Sequence, residues 1–265
     1  MNRRFFITLF SGFMTRPALT FFKKKENAMN YTLHKADTRG IANHGWLKSH
    51  HSFSFASYYN PERMGFGALR VINDDQVAPT MGFGTHPHQN MEIISIPLSG
   101  SLEHKDTMGN EYVIRRGEVQ AMSAGTGIAH SEYNHSSSED VKFLQIWVLP
   151  KKLNITPQYS QKEFLEKERE NKFQLIVSPD GRNESVSINQ DAFFSLVNLK
   201  KDTRIEYNKY IESNGVYFFV LEGELEVDDK LISSRDGLGV SNKDGLNLNS
   251  SKDTQLLVME VPMNV

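Results

Sequence analysis

The sequence predicts an all-β protein built as two β-barrel domains in one chain. Three observations carry that prediction. Apolar runs of strand length recur from Phe66 to Val261, separated by turn signals such as Asn60-Pro61, Met108-Gly109-Asn110 and Asp228-Asp229-Lys230. The turn Leu221-Glu222-Gly223-Glu224 in the second half echoes Pro97-Leu98-Ser99-Gly100-Ser101 in the first, as an internal repeat of one plan would give. All nine histidines fall between His34 and His135, so a metal centre made of imidazoles can belong only to the first half.

The chain has 265 residues, enough for one large or two ordinary β domains. With 38% hydrophobic and 11% aromatic residues it has the composition of a globular protein. It contains no cysteine, which excludes a disulfide framework, a thiolate nucleophile and sulfur-ligated metal. Any metal must be held by nitrogen and oxygen.

Residues 1–28 stand apart. Arg3, Arg4, Arg16, Lys23, Lys24 and Lys25 face the single acid Glu26 around an apolar run from Phe5 to Met14. The segment resembles a weak secretory signal without a small-residue cleavage site, and its apolar run is too short for a membrane span. A translated leader fits it better: Met29 can be the true start, because Lys-Glu codons just upstream can spell a purine-rich ribosome-binding sequence. We expect residues 1–28 to lie outside the fold. Without them the chain has 24 basic and 31 acidic residues, a formal charge of -7, which argues against nucleic acid as a direct partner. A cytoplasmic, monomeric protein without a membrane segment is expected.

From Met29 to residue 150 we place the first domain. A dense aromatic passage from Trp46 to Tyr59 carries His44, His50 and His51, whose spacing lacks the regularity of a ligand pair. Phe66 to Ile72 reads as a buried strand ending at Asn73-Asp74-Asp75. One strand is expected across Phe83 to Leu98. Leu102 to Lys105 and Tyr112 to Arg115 flank the Met108-Gly109-Asn110 turn as a hairpin. Ser123-Ala124-Gly125-Thr126-Gly127 reads as a tight turn rather than a phosphate loop, since neither Lys-Ser/Thr nor a helix follows. Val141 to Leu149 closes the domain, and Lys151-Lys152 to Pro157 mark a boundary. The second domain, 151–265, opens with a short charged helix from Gln161 to Asn171. Strands follow at Phe173 to Val177, Phe193 to Leu199, Val216 to Leu221, Leu225 to Val227 and Leu256 to Val261.

Two short patterns carry the chemistry, His86-Pro87-His88 and His130-Ser131-Glu132. Successive side chains on a strand point to opposite faces, so His86 and His88 share one face, as do His130 and Glu132. If the two strands face each other across a barrel, three imidazoles and a carboxylate converge, a donor set suited to a first-row divalent metal with coordination positions left open. Glu92 has the parity of His86 and His88 and shares their face if the strand stays regular. His104 is expected to make structural hydrogen bonds. Phe53, Phe55 and Phe66 are available to line an apolar mouth.

Gly82-Phe83-Gly84-Thr85-His86-Pro87-His88, with Ser123-Ala124-Gly125-Thr126-Gly127-Ile128-Ala129-His130-Ser131-Glu132-Tyr133-Asn134, resembles the pirin family of bicupins. The similarity runs from about Ala36 to the C-terminus and is strongest to the bacterial pirin-like proteins that open the ring of the flavonol quercetin. The resemblance implies two cupin β-barrels of jelly-roll type and one divalent metal, iron(II) or another, held in the first by His86, His88, His130 and Glu132. It implies a dioxygenase whose partners are a flavonol-like substrate and dioxygen, with Glu132 as the base and Glu92 as the other candidate. The alternative it implies is an iron-dependent redox regulator that binds a transcription factor or metabolic enzyme. A storage or structural β protein with an incidental metal is the third class.

Overall fold

The computed structural model describes residues 30–264. The leader expected at residues 1–28 lies outside the described residues. Among those described, helical segments are limited to three short 3-10 turns, Ala36–Thr38, Glu166–Arg169 and Arg182–Glu184. No helix among them is long and apolar enough to cross a membrane.

Each half is a jelly-roll of two facing sheets, one of seven strands and one of four, rather than a single closed barrel. In the first half the large sheet runs, in spatial order, Gln158–Glu163, Glu118–Ser123, Glu92–Ser99, Val141–Val148, Leu69–Val77, Leu47–His51 and Gly40–Asn43. Its small sheet runs Gly82–His88, Ile128–Asn134, Ser101–Asp106 and Glu111–Arg115. The second half repeats the plan, with Asn214–Glu222 and Thr254–Pro262 central in its large sheet. Two edge strands are exchanged along the chain. Asn30–His34 pairs with Gly237–Ser241 in the second large sheet, and Gln158–Glu163 pairs with Glu118–Ser123 in the first. We keep the division near residue 150 as a proposal about the chain; strand pairing in space crosses it twice.

The large sheets bury both faces, which is why their strands read as continuous apolar runs. Their outer faces pack on each other through Phe66, Ile94 and Ile146 from one half and Phe194, Tyr217, Phe219 and Leu257 from the other. The two interiors differ. The second is filled by Val197, Val216, Phe218, Leu225, Leu246, Val258 and further apolar side chains; its buried Glu260 accepts from the Tyr207 hydroxyl, and among the described residues no cluster of three potential metal ligands lies there. In the first, apolar packing by Leu47, Val77, Leu102, Ile114, Val141 and Phe143 occupies only part of the space. Beside it a polar row crosses the large sheet, His51, Asn73, Gln145, Ser95 and Gln120 being successive cross-strand partners.

Three expectations are corrected. The charged helix at Gln161–Asn171 is instead the end of strand Gln158–Glu163 and the turn Glu166–Arg169, because pairing with Glu118–Ser123 outweighs a helix propensity that no apolar stripe supports. The strand expected at Phe66–Ile72 is Leu69–Val77: Asn73 and Asp75 do not end it but point inward. The single strand expected across Phe83–Leu98 is two, Gly82–His88 and Glu92–Ser99, which lie in different sheets on either side of Asn90 at φ 50°. The hairpin at Met108–Asn110 is present, with Leu102 opposite Ile114. Ser123–Gly127 is a tight turn, and a Cβ on Gly125 would meet the Ile155 carbonyl oxygen at 2.0 Å.

Candidate metal centre

The two ligand strands do not face each other across a barrel; they are hydrogen-bonded neighbours in the small sheet. Gly82–His88 pairs antiparallel with Ile128–Asn134, and His130 sits directly opposite His86. Close approach of the strands depends on Gly82, where a Cβ would lie 2.2 Å from the Glu132 carbonyl oxygen. Alternation then places His88 on the face of His86, and the three rings gather with centroids 4.5 to 4.8 Å apart. One ligand nitrogen from each ring falls within 4.8 Å of the others.

Hydrogen bonds set which nitrogen of His86 points inward. His86 Nδ1 lies 2.8 Å from the Gly84 carbonyl oxygen, an acceptor, so Nδ1 donates and Nε2 offers its lone pair. That Nε2 lies 3.1 Å from His130 Nε2. Two nitrogens at right angles about one ion, each about 2.1 Å from it, are about 3 Å apart, so the pair has the separation of two adjacent ligands. His88 Nε2 is buried and has no hydrogen-bond partner, and its ring stands edge-on to Trp147 at 5.0 Å. An unpartnered buried nitrogen beside two convergent ones fits a cation. Burial pushes the His130 imidazole down to about 3, aided by His86 and His104, and pushes His88 down to about 4, aided by His130 and His86. These two imidazoles therefore stay neutral through the range near 6.5 where a free imidazole protonates, as metal ligation would require.

Glu132 enters beside this cluster. A register shift between His130 and Glu132 in the pairing with Gly82–His88 puts Glu132 opposite Phe83; on its other side, in unbroken register, it lies opposite His104. Its carboxylate is fully buried and receives the Ser95 hydroxyl at Oε1 (3.2 Å) and the Gln145 amide at Oε2 (2.6 Å). Those donors offset the desolvation of a buried charge. Glu132 groups within ligand range with His130 and His104, and it lines one cavity with His86 and His88.

The structure does not bring Glu92 to this site. Its strand belongs to the other sheet, and its Oε2 accepts from the Ser123 hydroxyl and the Asn189 backbone N–H, joining the two halves of the molecule. The parity argument fails because the chain turns and changes sheets between His88 and Glu92. His44, His50 and His51 form no ligand cluster: His51 Nδ1 pairs with Asn73 Oδ1 at 2.8 Å, while His44 and His51 line the cavity. Asn134 is structural, donating to the Val77 and Glu139 carbonyls.

His86, His88 and Glu132 line a cavity of about 410 Å³, within the range of about 300–1,000 Å³ usual for small-molecule sites. Its walls are aromatic: Trp46 meets Phe83 edge-on at 5.4 Å, and Phe55 meets Trp147 edge-on at 5.3 Å. Of the three phenylalanines expected at the mouth only Phe55 is there; Phe53 and Phe66 are buried in the core between the large sheets.

Sequence reasoning missed Asp75, Ser95, Gln145 and both tryptophans. The available signal was a lone polar residue inside an apolar run, as in Ile93-Ile94-Ser95-Ile96 and Phe143-Leu144-Gln145-Ile146-Trp147. Asp75 also lines the cavity, with Oδ1 buried and unpartnered. Burial raises its carboxyl to about 7, against the hydrogen bond from Ser49, and the Glu132 and Asp74 charges add to the rise. The folded state thus holds this proton more tightly than the unfolded chain, and the stability so gained is lost as pH rises from about 4 to about 7. Asp75→Asn should therefore raise the stability of the metal-free protein above pH 7, by about 4 kcal/mol at most, and change it little near pH 4. Thermal unfolding of both proteins across that range checks the sign; an equal difference at every pH contradicts it.

Comparisons with known proteins place these features in a family. The profile of the family described as Pirin matches residues 33–148, and one described as the quercetinase C-terminal cupin domain matches residues 175–261. Quercetin 2,3-dioxygenase of Escherichia coli K12 is 44% identical over 230 residues, covering 87% of this chain and 98% of that protein. A pirin-like protein of Caulobacter vibrioides is 38% identical over 225 residues, covering 84% and 96%. The crystal structure of the bacterial pirin YhhW from Escherichia coli in complex with nickel(II) superposes with a TM-score of 0.84 at 42% identity, covering 89% of this chain and 100% of that one.

Proposed function

This chain belongs to the pirin family, and from that premise we propose that it is a metal-dependent dioxygenase that opens the heterocycle of flavonols such as quercetin. The observation that carries the proposal is the convergence of His86, His88 and His130, one of them with a buried unpartnered nitrogen, beside an aromatic cavity that His86 and His88 line. Their nitrogens, with Glu132 as the fourth donor, would hold one divalent metal, iron(II) in our reading; the nickel(II) complex of a relative supports a divalent ion at such a site. When bound, the metal supplies a Lewis acid for the substrate oxygens and the means to use dioxygen.

The protein's own contributions follow from its walls and its carboxylate. Trp46, Phe83, Phe55 and Trp147 bound a slot that takes a flat fused ring and excludes water from it. Glu132 accepts the 3-hydroxyl proton at a carboxylate oxygen, leaving an electron-rich flavonolate to react with dioxygen and lose carbon monoxide. Ser95 and Gln145 fix that carboxylate, and the Trp147 indole N–H, 3.4 Å from Gln145 Oε1, holds Gln145 in turn. The test is oxygen uptake on quercetin by the metal-loaded protein, with one carbon monoxide released per flavonol consumed. Metal-loaded protein that consumes no oxygen with any flavonol contradicts the proposal and leaves iron-dependent partner binding as the account of the site.

A further inference from the structure

Behind His130, on the side away from the cavity, lie two buried groups that the proposed reaction does not use. Asp106 stands opposite His130 in the neighbouring strand, and His104 stands opposite Glu132. His104 is fully buried; its Nε2 is 3.0 Å from Asp106 Oδ2, and its Nδ1 is 3.4 Å from His130 Nδ1. Asp106 can only accept. Its Oδ1 receives the backbone N–H groups of Met108 and Asn110, and its Oδ2 also receives the Asn110 side-chain amide at 2.8 Å.

The direction of the whole chain of hydrogen bonds follows from that one fixed end. An acceptor at Asp106 Oδ2 requires the proton of neutral His104 to be on Nε2, which leaves His104 Nδ1 as a lone pair. A lone pair at His104 Nδ1 requires a proton on His130 Nδ1. Neutral His130 then has its lone pair on Nε2, the nitrogen 3.1 Å from His86 Nε2. We propose that Asp106 and His104 are positioning residues that fix the tautomer and ring orientation of His130, so that its Nε2 is presented to the metal. This inference rests on the metal reading of the cluster and not on the identity of the substrate.

Zinc(II) serves as a diamagnetic probe, and its affinity is measured by chelator competition in full-length protein. Asp106→Asn keeps an oxygen for the two backbone donors but turns an amide N–H₂ toward His104 Nε2, which reverses the chain. We expect zinc affinity to fall by about 10- to 100-fold, the usual scale for partners of metal-bound histidines. His104→Phe should do the same by removing the relay. His104→Gln can accept from His130 with its oxygen and donate to Asp106 with its amide, so it should return affinity to within a few-fold of wild type. In the zinc-loaded wild type, nitrogen-15 shifts should show His104 protonated at Nε2 and His130 at Nδ1. Wild-type affinity in Asp106→Asn and His104→Phe, equal loss in His104→Gln and His104→Phe, or a proton at His104 Nδ1 each overturns the inference while leaving the metal site intact. Wild-type protein that binds no zinc overturns the metal reading itself.

Discussion

Replacing His86 or His130 with alanine should abolish stoichiometric metal binding, with affinity falling by more than about a hundredfold, beyond the scale seen when only a hydrogen-bond partner of a ligand is lost. The expectation rests on geometry. The two Nε2 atoms are 3.1 Å apart, and removing either leaves the unpartnered His88 nitrogen with one neighbour instead of two. The variants differ in what else they disturb. His86 is only partly buried and its one other bond goes to the Gly84 carbonyl, so His86→Ala should unfold within a few degrees of wild type. His130 is fully buried among His86, His88 and His104, and its truncation leaves a cavity as well as an unpaired Nδ1 on His104, so that variant should also lose stability. Metal analysis after dialysis, read beside thermal unfolding, separates the effects. Wild-type metal content in both variants would place the site elsewhere.

The second large effect concerns the carboxylate. Glu132→Gln keeps the shape and removes the proton acceptor, so quercetin turnover should fall by about a hundredfold or more, the usual scale for a lost general base. Metal should be retained in part, since three imidazoles remain. The variant also sets an amide N–H₂ against either the Ser95 hydroxyl or the Gln145 amide, each of which now donates to Glu132, and one buried donor is then left unmet at about 1–3 kcal/mol. Glu92→Gln should leave turnover within a few-fold of wild type, because its partners are Ser123 and Asn189 and it lines no part of the cavity. Steady-state oxygen uptake ranks the two. The reverse order would move the proton to Glu92 by a route the geometry does not offer.

What could be read from the sequence was local. His86, His88 and His130 were legible because period-2 alternation survives along each short strand, and the confinement of histidine to the first half matched a second interior packed with Val216, Phe218 and Leu246. What could not be read depends on where the chain changes sheets. Glu92 kept the right parity on paper, but one residue in the left-handed region, Asn90, carries the chain from the small sheet to the large one. The cavity was illegible for a related reason: Trp46, Asp75 and the pair Gln145 and Trp147 come from three separate stretches of chain and meet only through sheet order. Phe53 and Phe55 are two residues apart, yet one fills the core and the other the cavity wall, a difference fixed by the bend at Ser52–Phe53 rather than by residue type.

One measurement bears most directly on the claim that a single metal at these imidazoles carries the chemistry. Metal-free protein is loaded anaerobically with increasing amounts of iron(II), and oxygen uptake on quercetin is read for each sample after transfer to oxygenated buffer. The account predicts that activity rises linearly and breaks at one equivalent per chain, and that His86→Ala shows no such break. Activity that is already full in the metal-free protein, or that is restored equally in His86→Ala, would contradict it.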